Sequence, residues 1–257
     1  AGAGISDLIQ DNTRVVFLES PGSLTFEVQD VGAIAKAARA RDAAVLMDNT
    51  WATGLYFRPL AHGVDVSINA CTKYIVGHAD AMLGAITANA RTAKLVEEAR
   101  ATLGGSAGSE ETYLGLGGLR TLAVRLERHQ RSALEVARWL SGRPEVERIL
   151  HPALPTDPGH ALWKAQYTGA SGLFSVILKP APRKALAAML DGLELFGMGY
   201  SWGGYESLIV PFNPKRYRTA TAWTAAGPAL RLHIGLDDPR DLIADLDAGF
   251  ARLRTVA

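Results

Sequence analysis

Hydrophobic residues in the first half of the chain fall into short, continuous runs that alternate with stretches of helical spacing. The runs are rich in β-branched residues and predict four strands, at Arg14–Glu19, Ala43–Met47, Val64–Ala70 and Ala81–Asn89. Between the first two strands, Asp30 can cap a helix whose apolar face carries Val31, Ile34, Ala35 and Ala38. Continuously apolar strands separated by helices predict an α/β fold with a mostly parallel sheet covered on both faces.

The pattern changes after a stretch rich in glycine and serine, residues 104–118, which we predict to be a connector. A long amphipathic helix is expected over Leu119–Leu140, with leucines and alanines on one face and arginines and glutamates on the other. The remainder is typical of an α+β unit, with strands at Val146–Leu150, Leu173–Leu178 and Leu230–Ile234 and helices over Arg183–Leu193 and from Asp238 to Leu253. We therefore predict a domain junction inside the long helix, with a large domain over residues 1–125 and a smaller one over 126–257.

Composition argues against several classes of function. The 27 basic and 26 acidic side chains give a net charge of +1, which offers no support for a nucleic-acid or membrane-surface partner. No apolar run reaches about 18 residues, so no transmembrane helix is expected. The single cysteine, Cys71, cannot form an internal disulfide, and the six histidines lack the spacing of metal ligands. We expect a cytoplasmic protein without a metal site.

Two residues that follow predicted strands are candidates for chemistry. Lys73 stands just past the third strand, where a lysine is most often solvated and reaches water through its flexible stem. Alternatively, its surroundings lower the pKa of its amine, so that the amine can attack a carbonyl group. Asp48 ends the second strand, at the side of the sheet where α/β proteins bind ligands. Its carboxylate is either a turn cap or the partner of a protonated nitrogen in a cofactor ring.

Arg231 lies within an otherwise apolar segment that runs from Leu230 to Leu236. A buried arginine is costly unless its charge is paired. Its planar guanidinium matches a carboxylate through two hydrogen bonds. The sequence therefore leaves two interpretations open, a buried ion pair with a protein carboxylate or a site for the carboxylate of a ligand.

Several segments together resemble the Cys/Met-metabolism family of pyridoxal-phosphate-dependent enzymes. They are Asp48-Asn49-Thr50-Trp51, Thr72-Lys73-Tyr74 followed by Gly77-His78-Ala79-Asp80, and the strand from Arg231 to Gly235. Two further segments, Phe17–Ser23 and Tyr200–Leu208, look closest to the β-lyases of this family. The γ-enzymes usually carry asparagine in place of Ser23 and leucine in place of Trp202. The resemblance covers almost the whole chain.

The resemblance implies a set of cofactor-binding residues. Lys73 is implied as the catalytic lysine that binds pyridoxal 5′-phosphate covalently and moves protons at the substrate. Asp48 is similar to the aspartate that contacts the pyridine nitrogen, and Thr72 matches a hydroxyl that contacts the phosphate. Many family members have serine three residues before the lysine, whereas this chain has Ala70, so we expect one phosphate hydroxyl to be absent.

The resemblance also implies a substrate site and a reaction. Ser201 and Arg231 look like the pair that binds the substrate α-carboxylate, and Trp202 shapes the distal pocket unless it is only a core aromatic. His78 and His233 are expected to be structural. The implied reaction is α,β-elimination of L-cystathionine by a carbon–sulfur lyase. The alternatives are a γ-lyase or γ-synthase of the same family, or a catalytically incompetent fragment that acts only as an assembly partner.

The implied architecture is part of a fold type I, aspartate-aminotransferase-like large domain followed by a smaller α+β domain. Family members form homotetramers built from dimers, and we expect the same here. They are usually longer at the N-terminus, where a Gly-rich phosphate loop lies, and no such loop stands upstream of Ser20. The resemblance thus implies a chain that lacks roughly the N-terminal third, and we expect these 257 residues alone to bind the cofactor weakly.

Overall fold

The computed structural model describes residues 2–216 and 218–256, whose strands form two sheets of four. The first sheet contains, side by side in chain order, β1 (Val15–Glu19), β2 (Ala44–Asp48), β3 (Val66–Ala70) and β4 (Gly84–Ala88). β1, β2 and β3 run parallel, and β4 is antiparallel to β3. Since two of the three pairings are parallel, the prediction of a mostly parallel sheet is confirmed.

The second sheet is antiparallel throughout. It consists of β5 (Val146–Leu150), β6 (Leu173–Leu178), β7 (Leu208–Phe212) and β8 (Ala229–His233), in the spatial order β5-β6-β8-β7. Arg231 of β8 lies between Ser175 of β6 and Val210 of β7. The central strands β6 and β8 are buried along their whole length, which matches their continuously apolar sequences.

The described residues also form seven α-helices. They are α1 (Val31–Arg39), α2 (Thr53–Tyr56), α3 (Ala93–Leu103), α4 (Ser109–Ser141), α5 (His160–Gln166), α6 (Arg183–Asp191) and α7 (Pro239–Val256). Short 3-10 helices occupy Ala3–Asp7, Pro59–His62 and Pro214–Arg216. α1 begins as predicted, because the carboxylate of Asp30 accepts a hydrogen bond from the Ala33 amide at 3.0 Å.

The long helix α4 begins ten residues earlier than predicted, at Ser109 rather than Leu119. The prediction of a connector over residues 104–118 is therefore wrong beyond Gly108. Glycines at positions 115, 117 and 118 lower the intrinsic helix propensity of this stretch, which conceals its first turns in the sequence.

Close packing explains two of these glycines. A Cβ atom at Gly118 would lie 2.2 Å from the carbonyl oxygen of Ile75, and one at Gly115 would lie 2.5 Å from the side chain of Leu83. Only glycine lets α4 pass this close to the segment that follows β3. Tertiary packing thus overrides the low propensity of the stretch.

Two residues of α4 lie on the side of the helix opposite to the one predicted for them. Leu119, assigned to the buried face, is 51% exposed, and Arg125, one of the arginines assigned to the polar face, is 6% exposed. Helical periodicity alone places charged residues toward solvent. A specific set of backbone partners for Arg125 explains the exception, as described below.

Two of the elements that were not predicted from the sequence, β7 and α5, have sequences that are untypical of their structure. β7 contains Pro211, which lacks the amide needed in a central strand but is tolerated because β7 lies at the edge of the second sheet. The short helix α5 follows a stretch rich in proline and glycine, which is typical of a loop.

The described residues bury a separate apolar cluster with each sheet. Met47 belongs to the cluster of the first sheet and Phe174 to that of the second. A third, smaller cluster contains Tyr74, Leu122 and Leu126, where α4 packs below the turn that carries Lys73. This helix is therefore the support of the candidate site.

Candidate active site

The carboxyl ends of β2 and β3 lie side by side at one edge of the first sheet. The two strands are parallel, and Asp48 at the end of β2 lies opposite Ile68, close to the end of β3 at Ala70. Lys73 follows in the segment just beyond Ala70. Asp48 and Lys73 therefore reach the same edge, where open α/β sheets bind their ligands.

A tight turn holds the backbone of Lys73. Its amide donates to the Ala70 carbonyl at 3.0 Å, and the amides of Val76 and Gly77 donate at 2.8 Å to the carbonyls of Cys71 and Lys73. Gly77 has a φ of 73°, in the left-handed region that favours glycine. We call residues 71–77 the lysine turn.

The Lys73 amine points toward residues 201 and 202, which precede β7. Its Nζ donates to the Oγ of Ser201 at 2.9 Å and lies 5.4 Å from the centroid of the Trp202 ring. Burial and, to a smaller extent, the positive charge of Arg231 lower the pKa of Lys73. The amine is therefore half-buried and hydrogen-bonded to Ser201 rather than extended into solvent, and its covalent attachment to a ligand stays a prediction.

Arg231 is buried, and its guanidinium binds backbone carbonyls. Its Nη2 donates to the carbonyl of Tyr200 at 2.7 Å and to those of Gly199 and Ser201 at 3.3 Å. No ion pair in the described part of the chain includes Arg231, and its Nε has no hydrogen-bond partner there. The described residues thus provide no carboxylate partner for Arg231, and because Arg231 does not line the cavity around Lys73, its role as a carboxylate site stays a prediction.

Asp48 is half-buried and acts as a turn cap, because its Oδ1 accepts a hydrogen bond from the Thr50 amide at 2.8 Å. Its neighbour in β1 is Glu19. Burial and, to a smaller extent, the negative charge of Asp48 raise the pKa of Glu19. Asp48 is not among the residues that line the cavity around Lys73. The structure thus brings Asp48 to the expected edge of the sheet, and a contact with a cofactor stays a prediction.

The hydroxyl group of Thr72 is engaged by the segment that leads into β4. It accepts a hydrogen bond from the Leu83 amide at 2.9 Å and donates one to the Leu83 carbonyl at 3.2 Å. Thr72 also lines the cavity beside Lys73. The Thr72 hydroxyl group therefore anchors the start of the lysine turn beside the cavity that also contains the Lys73 amine.

A cavity of about 500 Å³ opens around the Lys73 amine. It is lined by Thr72, Lys73, Ser201 and Trp202 together with Ala79, Asp80, Ala81, Met82, Gly204, Glu206 and Leu208. The structure therefore brings four of the six predicted site residues to one cavity. Arg231 binds the backbone carbonyls of residues 199–201, directly before Trp202, and Asp48 lies at the adjacent sheet edge.

Comparison with known families identifies the chain. The family model described as Cys/Met metabolism PLP-dependent enzyme matches residues 2–251. The chain belongs to this family. Pyridoxal 5′-phosphate is the cofactor of the Cys/Met-metabolism enzymes, so the cofactor expected from the sequence is confirmed.

Curated relatives within the family have more than one activity. Cystathionine β-lyase from Escherichia coli is 50% identical over 258 residues, which cover 98% of this chain and 65% of the relative. L-alanine/L-glutamate racemase from Wolbachia pipientis is 44% identical over 251 residues, which cover 97% of this chain and 62% of the relative. The chain thus spans slightly less than two thirds of the length of these relatives.

A solved structure of the family has the same fold. The crystal structure of cystathionine γ-synthase from Xanthomonas oryzae pv. oryzae in complex with cystathionine matches with a TM-score of 0.86 and 34% sequence identity. The match covers 95% of this chain and 64% of that one. The predicted fold class, part of a fold type I large domain with a smaller α+β unit, is confirmed.

The side chains around the cavity fit the family's cofactor in their chemistry. Lys73 would supply an amine of lowered pKa for the aldehyde, and Thr72 would supply a hydroxyl group for the phosphate once its proton is no longer donated to the Leu83 carbonyl. Residues 2–216 and 218–256 contain no helix long and apolar enough to cross a membrane. The same residues contain no group of three His, Cys, Asp or Glu side chains that could hold a metal ion.

Sequence reasoning missed a residue that supports the site from behind. Tyr74 is fully buried, and its hydroxyl accepts a hydrogen bond from the Gly172 amide at 2.9 Å. Its ring centroid lies 5.5 Å from that of Trp202. The only signal for this role in the sequence is the position of Tyr74 directly after Lys73.

His233 has the structural role that was expected for it. Its Nε2 accepts a hydrogen bond from the Gly203 amide at 3.1 Å, which fixes the backbone directly after Trp202. Burial lowers the pKa of His233 to about 3, so the ring is neutral at physiological pH.

Proposed function

We propose that this protein is a pyridoxal-phosphate-dependent carbon–sulfur lyase that converts L-cystathionine to homocysteine, pyruvate and ammonia by α,β-elimination. The observation that carries the proposal is the Lys73 amine, which has a lowered pKa and is hydrogen-bonded to Ser201 beside Trp202. The identity of 50% to a cystathionine β-lyase supports a thioether amino acid as the substrate.

The cofactor, when bound, supplies an electron sink that stabilises negative charge at the substrate α-carbon. Lys73 would hold it through Nζ, and the same amine, once free, would take the α-proton and later return a proton. The hydrogen bond from Nζ to Ser201 keeps the amine directed into the cavity. Thr72 would offer its hydroxyl to the phosphate, and Asp48 would keep the ring nitrogen protonated.

The substrate would be bound by residues that precede β7 and by the interior of β8. Arg231 would bind the α-carboxylate through its guanidinium, with the hydroxyl group of Ser201 as a second donor. Trp202 lies over the Lys73 amine and would limit the space available to the distal part of the thioether. A buried guanidinium that is preorganised by three carbonyls can orient the carboxylate with little loss of side-chain entropy.

The larger assembly follows from the same family resemblance. We propose a domain boundary inside α4 near residue 125, a homotetramer built from dimers, and a cytoplasmic location. We also keep the expectation that the 257 residues alone bind the cofactor weakly.

Product analysis tests the reaction. The chain is saturated with pyridoxal phosphate and incubated with L-cystathionine, with a Lys73→Ala variant as the control. Formation of pyruvate by the parent chain alone supports β-elimination. Formation of 2-oxobutyrate instead would replace the proposal with a γ-lyase.

A second candidate, amino-acid racemisation, is favoured by the Wolbachia relative at 44% identity. Conversion of L-alanine to D-alanine, without release of pyruvate from L-cystathionine, would support it. If Lys73 takes up the cofactor and no substrate is converted, the chain is the catalytically incompetent fragment considered above.

A further inference from the structure

We propose that Arg125 of α4 is a positioning residue, which holds the lysine turn in the conformation that directs the Lys73 amine to Ser201. The inference deepens the proposed function and rests on it for the role of Lys73. The contacts that carry it belong to residues outside the predicted site.

Every nitrogen of the Arg125 guanidinium has a defined partner. Nη1 donates to the Tyr74 carbonyl at 2.7 Å, and Nη2 donates to the carbonyls of Ile75 at 3.2 Å and Gly118 at 2.7 Å. Nε donates to the hydroxyl of Thr121 at 3.0 Å. The guanidinium therefore binds the two carbonyls that directly follow Lys73 and ties them to the first turns of α4.

The charge of Arg125 has no acidic partner. The side chain is 6% exposed, and no ion pair among residues 2–216 and 218–256 includes it. A buried, uncompensated charge is costly, and an apolar side chain of similar volume would suffice if the position only needed to be filled. The guanidinium is instead stabilised by carbonyl dipoles whose spacing matches its planar fork.

Two glycines make room for this contact. A Cβ atom at Gly77, the last residue of the lysine turn, would lie 2.0 Å from Nη1 of Arg125. A Cβ atom at Gly118 would lie 2.2 Å from the Ile75 carbonyl oxygen that Arg125 also binds. The turn is therefore hydrogen-bonded on both sides, internally through Val76 and Gly77 and externally through Arg125.

Amide hydrogen exchange of the full 257-residue chain tests the inference without any cofactor. In Arg125→Met, the Val76 and Gly77 amides should exchange about ten times faster or more, relative to Met47 in β2, because the turn loses its external anchor. Exchange of the Met47 amide reports global stability, so the ratio corrects for a general loss of stability. An unchanged ratio of Val76 and Gly77 to Met47 would overturn the inference.

Arg143→Met is a matched control. Arg143 is also a largely buried arginine, but its partners are Glu145 and Asp247 and the rings of Trp139 and Phe250, none of which belongs to the lysine turn. This variant should lower stability without a selective change at Val76 and Gly77. If both variants increase the exchange of the Val76 and Gly77 amides equally, Arg125 is a general stabilising residue and the inference is wrong.

Cofactor attachment gives a second readout. The yield of pyridoxyl-Lys73 after brief incubation with pyridoxal phosphate and reduction with borohydride should fall about tenfold in Arg125→Met and stay near the parent value in Arg143→Met. If the parent chain itself forms no adduct at Lys73, the proposed function fails, and amide exchange still decides the role of Arg125.

Arg125→Lys keeps the experiment decisive if the methionine variant does not fold. Lysine retains the charge but cannot reach two successive carbonyls with a rigid fork. Exchange at Val76 and Gly77 should therefore rise above that of the Arg143→Met control. Exchange equal to the control would contradict the inference.

Discussion

The two sheets contribute to the site in different ways. The first sheet supplies the ends of parallel strands, and its outer strands are poorly covered, since Val15 and Phe17 of β1 are 50% and 60% exposed and β4 is exposed along most of its length. The second sheet supplies Arg231 from the interior of β8, and both β8 and its neighbour β6 are buried throughout.

Because of this difference, we expect substitutions near the two sheets to affect different properties of the protein. The second sheet carries a dense apolar core of its own. The first sheet places the lysine turn, and that turn depends on contacts made by α4 through Gly118 and Arg125. Substitutions in the second core should therefore act on the whole fold, whereas substitutions at the contact with α4 should act on the geometry of Lys73.

The largest expected effect compares two phenylalanines on strands. Phe174→Ala, in β6, should lower the free energy of unfolding by about 3–5 kcal/mol because its side chain is fully buried. Phe17→Ala, in β1, should change it by less than about 0.5 kcal/mol because the residue is mostly exposed. Urea unfolding followed by tryptophan fluorescence measures both. Equal losses would contradict the burial of Phe174 and the exposure of Phe17.

The next effect tests the approach of α4 to the lysine turn. Gly118→Ala should cost about 2–3 kcal/mol, because the new Cβ would overlap the carbonyls of Ile75 and Val76. Gly117→Ala is the matched control, since a Cβ there meets no atom within 4 Å, and it should stabilise the helix by about 0.5–1 kcal/mol. Thermal unfolding of the two variants separates the effect of packing from that of helix propensity. If Gly118→Ala leaves the free energy of unfolding unchanged, α4 can move away from the lysine turn and the predicted overlap is wrong.

A binding experiment examines what the second sheet supplies. Arg231→Lys should weaken the binding of L-cystathionine to the cofactor-loaded chain about 10- to 100-fold, because lysine cannot provide the planar pair of donors. Because the loaded chain is proposed to convert this substrate, the KM of pyruvate release measures the change. Arg240→Lys is the control, because Arg240 pairs with Asp238 at the surface, away from the cavity. An equal KM for both variants would rule out Arg231 as the carboxylate site.

The smallest effect per residue concerns acid stability. Burial lowers the pKa of His151 and His233 to about 3 and that of His129 to about 4, so these rings stay neutral in the folded chain as the pH falls. The unfolded chain takes up these protons below a pH of about 6.5. Each of the three histidines should therefore remove about 1.4 kcal/mol of stability per pH unit between roughly pH 6 and pH 5.

His151→Asn isolates one of these protons. Asparagine cannot titrate in this range and can still accept the hydrogen bond that the Ala153 amide donates to Nδ1 of His151. The slope of unfolding free energy against pH should decrease by one proton relative to the parent chain, whatever the change in absolute stability. An unchanged slope would mean that His151 is not neutral in the folded state.

The sequence predicted the parts of this structure that depend on local pattern. Continuously apolar runs located β1, β2, β3, β6 and β8, and the Asp30 cap located the start of α1. The resemblance located Lys73, Ser201, Trp202 and Arg231, which the structure brings together although more than 150 residues separate the first from the last.

The sequence could not predict features that depend on tertiary contact. The first turns of α4 are rich in glycine and look like a loop until the packing against Ile75 is known. Arg125 looks like a surface residue of an amphipathic helix, because periodicity carries no information about the carbonyls of Tyr74 and Ile75. The sequence pattern likewise carries no information about the hydrogen-bond partners of Asp48 and Thr72.

The most direct test of the account asks which lysine binds the cofactor. The chain is incubated with excess pyridoxal phosphate, reduced with borohydride, digested and analysed by mass spectrometry, with Lys73→Ala as the control. We expect the pyridoxyl mass on the peptide that contains Lys73 and its loss in the variant. Stable modification of another lysine, or of none, would contradict the assignment of Lys73 as the cofactor-binding residue.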